Sequence, residues 1–196
     1  MPQHRYEFSR LDSIENIELY KPGGLHPVKI GDVFAEGRYK VLHKLGYGGS
    51  STVWLARDQG PQGQSPASGS LVALKVISAI ESSKRNDEVA ELTIPFKLDA
   101  FSSATQNTAR DNIQVTKDYF TEDGPNGTHL CIVYQFAGPS LRSMSSTPWR
   151  MAGSRRLRGD LARKVAKQTA SVVELMHSAG VVHGGSRDLY LRQHIV

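Results

Sequence analysis

The stretch Leu45-Gly46-Tyr47-Gly48-Gly49-Ser50-Ser51-Thr52-Val53-Trp54 narrows the possible folds more than any other part of this chain. Glycines at 46 and 48 let the backbone turn tightly and come close to a ligand, because no Cβ blocks positive φ or the approach of phosphate oxygens. A dinucleotide-binding fingerprint would need a helix straight after the glycines, whereas Thr52-Val53-Trp54-Leu55 is β-branched and aromatic and reads as a strand. A Walker loop is excluded, since no Gly-Lys-Ser/Thr follows at the required distance. What remains is a strand, a Gly-rich turn and a second strand. A third strand, Leu71-Val72-Ala73-Leu74-Lys75-Val76, carries a lysine among apolar residues. The period of two puts Ala73 and Lys75 on one face and Val72, Leu74 and Val76 on the other. Such a lysine calls for an anion; the alternative is a plain hairpin with a snorkelling surface lysine.

The Gly-rich loop and the Val-Ala-Leu-Lys strand together match the signature of protein kinases, which the chain resembles. The resemblance implies that Leu45, Gly46, Tyr47, Gly48, Gly49, Ser50, Ser51, Thr52 and Val53 form a loop over ATP. It also implies that Val53 and Ala73 sandwich the adenine and that Lys75 holds the α- and β-phosphates. Upstream, Tyr20-Lys21-Pro22-Gly23-Gly24-Leu25-His26-Pro27-Val28-Lys29-Ile30-Gly31-Asp32-Val33-Phe34 is turn-rich: Pro-Gly-Gly forces a reversal and Pro27 keeps His26 extended. As a string it is similar to the segment leading into the kinase domain of SR-protein kinases, particularly fungal ones. Gly37-Arg38-Tyr39-Lys40-Val41-Leu42-His43-Lys44-Leu45-Gly46 continues the likeness. Ser50 stands where that family has an aromatic and Ser51 where it has a third glycine, which weakens the lid while leaving the backbone N–H groups to cradle phosphate.

A length of 196 residues fits one ordinary domain, or a small domain and part of another, and falls short of a complete kinase fold. With 39% hydrophobic and 22% charged residues the chain is compositionally globular, and its +5 formal charge is too modest to argue for a polyanionic partner. The single cysteine, Cys131, excludes an intrachain disulfide and fits a reducing compartment. No early apolar segment and no run of 18 apolar residues points to secretion or a membrane. Asn126-Gly127-Thr128 fits a glycosylation pattern but reads as a turn. Cytoplasm or nucleus is therefore the expected location.

Residues 1–19 are mixed and polar and read as a flexible lead-in. Residues 58–70, rich in Gly, Ser, Pro and Gln, read as a solvated loop between strands. After the lysine strand, Ser82 and Ser83 offer helix N-caps for a segment running to Ile94, where Pro95 is expected to stop it. The resemblance requires a glutamate here to pair with Lys75; Glu88 fits the family pattern and Glu91 is the fallback. Residues 96–112 carry no secure assignment. Ile113–Phe120 and His129–Gln135 read as strands joined by Glu122-Asp123-Gly124-Pro125-Asn126-Gly127. Phe136-Ala137-Gly138-Pro139-Ser140-Leu141 resembles the kinase hinge, which makes Tyr134 the gatekeeper, gives the Gln135 carbonyl to the adenine amino group and the Ala137 N–H to the ring.

A helix is expected from about Asp160 to Ala179, with Leu161, Val165, Val172, Leu175, Met176 and Ala179 on one face and Gly180 as its stop. The basic residues around it, Arg163, Lys164 and Lys167 among them, read as a solvated face rather than a nucleic-acid site. Val181-Val182-His183-Gly184 resembles the start of the catalytic loop. If Gly185-Ser186-Arg187 is an insertion, Asp188 is the base for the substrate hydroxyl, and Gln193 stands where an asparagine binds the second magnesium, one methylene too far out. The other register puts Gly185 at the aspartate position.

No Asp-Phe-Gly follows, so little phosphoryl transfer is expected of this polypeptide, and the 160–179 stripe should be exposed. The expected fold is α+β: a protein-kinase-like N-lobe of five antiparallel strands plus one helix over residues 20–138, then an incomplete helical C-lobe over 139–196. The implied activity is ATP- and Mg2+-dependent phosphorylation of serine or threonine in proteins, with arginine/serine-rich substrates favoured and neither a membrane nor direct nucleic-acid binding. The alternatives are a non-catalytic, pseudokinase-like interaction fragment and a prematurely ended or misassembled reading of a longer kinase.

Overall fold

The computed structural model describes residues 15–60, 69–85, 88–105, 108–138 and 159–182. It divides into two compact units: one up to Ser83 together with Tyr119–Val133, the other Lys84–Asp118 together with the chain from Tyr134.

The first unit is organised by a sheet of strands β1 (Val33–Phe34), β2 (Tyr39–Tyr47), β3 (Ser51–Asp58), β4 (Leu71–Ile77), β5 (Thr116–Gly124) and β6 (Gly127–Gln135), in the order β1-β2-β3-β4-β6-β5. That is one strand more than the sequence suggested. The extra strand is a two-residue edge, Val33 opposite Lys40 and Phe34 opposite Tyr39. Ala35 and Glu36 turn it back at φ of 50° and 53°, followed by Gly37 at 93°. A run so short carries no readable period, and only its pairing with β2 makes it a strand.

In β3 and β4 the alternation is plain. Trp54, Ala56, Val72, Leu74 and Val76 are buried with Phe34, Tyr39, Val41, Cys131 and Val133 in one cluster. Fully burying a Val or Leu of this kind stabilises by about 1.5–3 kcal/mol. The Phe120 ring stacks on Tyr39 with centroids 5.6 Å apart and planes 4° from parallel. Burial pushes the Cys131 thiol well above its ordinary range, and Glu122 adds to the shift, so Cys131 behaves as a small core hydrophobe.

The lead-in is docked, not loose, over its described part. Ile17–Leu19 form a 3₁₀ turn in which the Asn16 side chain accepts from the Glu18 N–H at 3.0 Å. The Pro-Gly-Gly reversal is real: the Gly24 N–H donates to the Lys21 carbonyl at 2.7 Å and Gly23 sits at φ 81°. The β5–β6 turn then holds the segment from both sides. The Gly23 N–H donates to the Asn126 carbonyl at 2.7 Å, and the Asn126 Nδ2 donates to the Leu25 carbonyl at 2.6 Å. Asn126 is thus spent on a turn contact, as a turn residue should be. His26 follows, its ring 4.7 Å from that of His129 and 5.7 Å from Phe34, and so close to Gly124 that a Cβ there would lie 2.3 Å from it.

The second unit contains α2 (Ala90–Thr105), a 3₁₀ turn at Thr108–Asn112 and α3 (Gly159–Ser178); the short α1 (Ala79–Ser82) belongs to the first unit. Two expectations are corrected here. Ser83 ends α1 instead of opening the next helix, and α2 runs through Pro95 to Thr105. Pro95 costs one backbone hydrogen bond. That loss is outweighed by the apolar surface that α2 buries: Leu98 packs with Ala179 and Val181, and Ile94, Phe101, Ile113 and Met176 cover them. The same packing covers the C-terminal half of the α3 stripe, with Val172 and Leu175 buried, so that stripe is not left open as its sequence suggested. Gly180, at φ 68°, ends α3 where expected, and Arg163, Lys164 and Lys167 are exposed.

Burial lowers the His26 pKa from its ordinary 6.5, the charge of His129 lowers it further, and Asp32 opposes them. An unfolded chain therefore binds a proton at His26 more readily than the folded one, so stability from this contact is intact above pH 6.5 and is lost as pH falls below it. Melting temperature measured between about pH 7 and 5 should fall less steeply in His26→Phe than in the unaltered chain; equal slopes would show that the contact does not titrate.

Candidate functional site

In the first unit, β2 and β3 meet at the Gly-rich loop, closed by the Gly48 N–H donating to the Ser51 carbonyl at 2.8 Å. The Ser78 N–H donates to the Ser50 carbonyl at 2.8 Å and ties the loop to the end of β4. Gly46, Gly48 and Gly49 do not adopt positive φ. Their value lies instead in bare backbone: a Cβ at Gly46 or Gly49 would meet nothing within 4 Å, and one at Gly48 only the Ser51 Oγ at 3.6 Å. Open space beside bare backbone admits phosphate oxygens. Ser51 and Thr52 are buried, while Leu45 and Tyr47 are exposed. The Trp54 Nε1–H donates to the Thr52 Oγ1 at 3.0 Å, which fixes the strand just beyond the loop.

Gly46 pairs with Val53, Val53 with Lys75, and Leu55 with Ala73. A register shift between Lys44 and Gly46 leaves Leu45 as the odd residue. Val53, Ala73 and Lys75 consequently share one half-buried face of the β3–β4 ladder, opposite the face that Trp54 and Leu74 bury. A flat apolar pair with a cation beside it, next to a loop of bare glycine backbone, is an arrangement able to take a planar base and its phosphates. The residues of this unit fit ATP.

A brace behind the loop escaped the sequence reading. Lys44 lies over the Trp54 ring, 5.1 Å from its centroid, and its Nζ pairs with the Glu15 carboxylate, which also accepts from the Tyr20 hydroxyl. Burial works to raise the Glu15 pKa, but the bonds from Lys44 and Tyr20 outweigh it and hold the carboxyl below its ordinary value. The only available signal was a lone acid in a polar lead-in, which periodicity cannot single out.

In the second unit, Gln135 is exposed, the hinge residues Phe136, Ala137 and Gly138 are part-buried, and Gly138 is at φ 77°. The Gln135 carbonyl accepts from the Gln114 Nε2 at 3.0 Å. Of the two acids proposed to pair with the lysine, Glu88 is exposed in the turn before α2, its N–H bonded to the Arg85 carbonyl at 2.9 Å. Glu91 is half-buried in the first turn of α2 and accepts from the Tyr134 hydroxyl at 3.3 Å. Asp188 and Gln193 lie outside the described residues. Among the described residues no group of three His, Cys, Asp or Glu side chains could hold a metal ion, and no helix is long and apolar enough to cross a membrane.

The chain is 34% identical over 170 residues to protein kinase dsk1 of Schizosaccharomyces pombe, covering 86% of this chain and 29% of that one. It is 39% identical over 127 residues to SRSF protein kinase 3 of Homo sapiens, covering 65% of this chain and 20% of that protein. Its relatives are SR-protein kinases, and its fold is that of a protein kinase. The solved structure of vaccinia related kinase 3 matches 81% of this chain and 44% of that one with a TM-score of 0.53 at 16% identity, a likeness of fold. No family model matches. The chain spans less than a third of the length of the two curated kinases. Its kinase relatives imply ATP and a divalent metal as substrate and cofactor.

Lys44 pairs with a carboxylate that is 5% exposed, too buried for solvent to replace the lost bond. Lys44→Met should therefore cost about 1–3 kcal/mol in denaturant unfolding, and no change would show that the Glu15 contact does not hold the lead-in.

Proposed function

We propose that this chain supplies the nucleotide-gripping part of a serine/threonine protein kinase of the SR-protein-kinase kind. It binds ATP with Mg2+ for transfer of the γ-phosphate to serine or threonine in proteins, with arginine/serine-rich proteins as the substrate class. The observation that carries the reading is the shared face of Val53, Ala73 and Lys75 beside a loop whose Gly46, Gly48 and Gly49 leave open space where side chains would stand.

In this reading the Lys75 ammonium takes the α- and β-phosphates, and Glu88, with Glu91 as the fallback, is the acid that the family resemblance calls for. The loop from Leu45 to Val53 covers the phosphates, Val53 and Ala73 enclose the adenine, and the Gln135 carbonyl and Ala137 N–H read its edge. ATP, when bound, supplies the phosphoryl group, and magnesium its charge neutralisation. Asp188 accepts the proton of the substrate hydroxyl, with Gln193 near the metal. The reducing character implied by the lone cysteine, Cys131, agrees with the cytoplasm or the nucleus as the place of action.

Titration with Mg-ATP, followed by calorimetry, tests the reading. Saturable binding should weaken by about tenfold or more in Lys75→Ala, the loss expected when a charge-assisted contact to phosphate is removed. Binding indifferent to that substitution would remove the kinase site.

A further inference from the structure

Behind the face that carries Val53 and Lys75, a linked set of side chains stands at the root of the Gly-rich loop. Lys44 pairs with Trp54 and Tyr47 with Thr52, and residues opposite each other in a ladder share a face, so all four lie on the side away from Val53. The Trp54 Nε1–H donates to the Thr52 Oγ1 at 3.0 Å. The Lys44 ammonium lies 5.1 Å from the centroid of the Trp54 ring and 6.0 Å from that of Tyr47, the residue between Gly46 and Gly48. One cation thus reaches both the strand that enters the loop and the strand that leaves it.

That cation is held from outside the sheet. The Glu15 Oε1 accepts from both the Lys44 Nζ and the Tyr20 hydroxyl, while the buried Oε2 has no hydrogen-bond partner among the described residues. The charge of a buried carboxylate is therefore answered at one oxygen, and taking the ammonium away would leave an anion in the interior. Lys44 is fixed by that cost. The loop beyond it has little to hold itself: Gly46, Gly48 and Gly49 carry no side chain to pack, and Ser50 is exposed. Glycine backbone loses the most freedom when it is ordered, so an anchor at the root of such a loop lowers the cost of closing it on a ligand.

We propose that Lys44 is a positioning residue for nucleotide binding: held by Glu15, its ammonium fixes the root of the Gly-rich loop through Trp54 and Tyr47, so that the segment carrying Glu15 and Tyr20 sets how firmly the loop holds a nucleotide's phosphates. This rests on the nucleotide-binding reading above and adds to it a control from outside the sheet. Lys44 does not touch the ligand. It acts through the backbone of the two strands between which the loop is hung, in the way that a supporting contact preorganises a site.

The test is a double-variant cycle on the full 196-residue chain, with Mg-ATP affinity and melting temperature as readouts and Lys75→Ala alongside. Lys44→Met should weaken binding about fivefold, Glu15→Gln about threefold, and the double variant no more than Lys44→Met alone, because both act through one ion pair. Lys44→Arg, which can pair with a carboxylate and stack on an indole, should keep affinity within about twofold. Phe34→Leu, a core change opposite Tyr39 at the far end of β2, controls for lost stability: it should lower the melting temperature and leave affinity as it is. A purely structural Lys44 would lower the melting temperature without moving affinity, or move it no more than Phe34→Leu does, and either result overturns the proposal. If Lys44→Met does not fold, Glu15→Gln decides, since unchanged affinity in that variant shows that the ion pair sets nothing at the loop. Binding sensitive to Lys75→Ala but not to Lys44→Met removes this inference alone; binding insensitive to Lys75→Ala removes the nucleotide site and this inference with it.

Discussion

The two-sided ladder of β3 and β4 is the constraint on which the first unit depends. Its buried face is closed by Trp54, Ala56, Val72, Leu74 and Val76, and a slip of one residue would send that entire set outward. The opposite face inherits its order from that requirement. Because Leu74 must face the core opposite Trp54, Lys75 must face the other way opposite Val53, and Ala73 must do so opposite Leu55. The site is therefore not assembled separately from the fold. Its apolar floor and its cation are what remains when the core has taken the other half of each strand.

Much of this was readable beforehand, because a period of two needs only a few residues to declare itself. The alternation in Leu71-Val72-Ala73-Leu74-Lys75-Val76 placed the lysine on the correct face, and the glycines marked the turn. The contribution of those glycines was misjudged in one respect: they lie outside the left-handed region and act by the absence of side chains. The long apolar stripe of α3 and its glycine stop were equally plain.

What escaped the sequence was decided by tertiary contact. A two-residue strand at Val33–Phe34 has no period of its own. Pro95 looked like a terminator because local propensity disfavours it, yet Leu98 and Phe101 beyond it find a shared apolar cluster worth more than one backbone bond. Glu15 was invisible for a simpler reason. A buried acid is defined by its partners, and Lys44 and Tyr20 are not spaced from it in any pattern a chain can announce.

The ring of His26 occupies the space that any side chain at position 124 would claim. The leading segment and the β5–β6 hairpin are thereby fitted to each other as peg and socket, with bare backbone as the socket. Neither piece is free to drift alone: a bulkier residue at 124 would evict the imidazole, and a different leading segment would leave a dent in the hairpin's flank. Segments far apart in the chain must in that sense be inherited as a matched set.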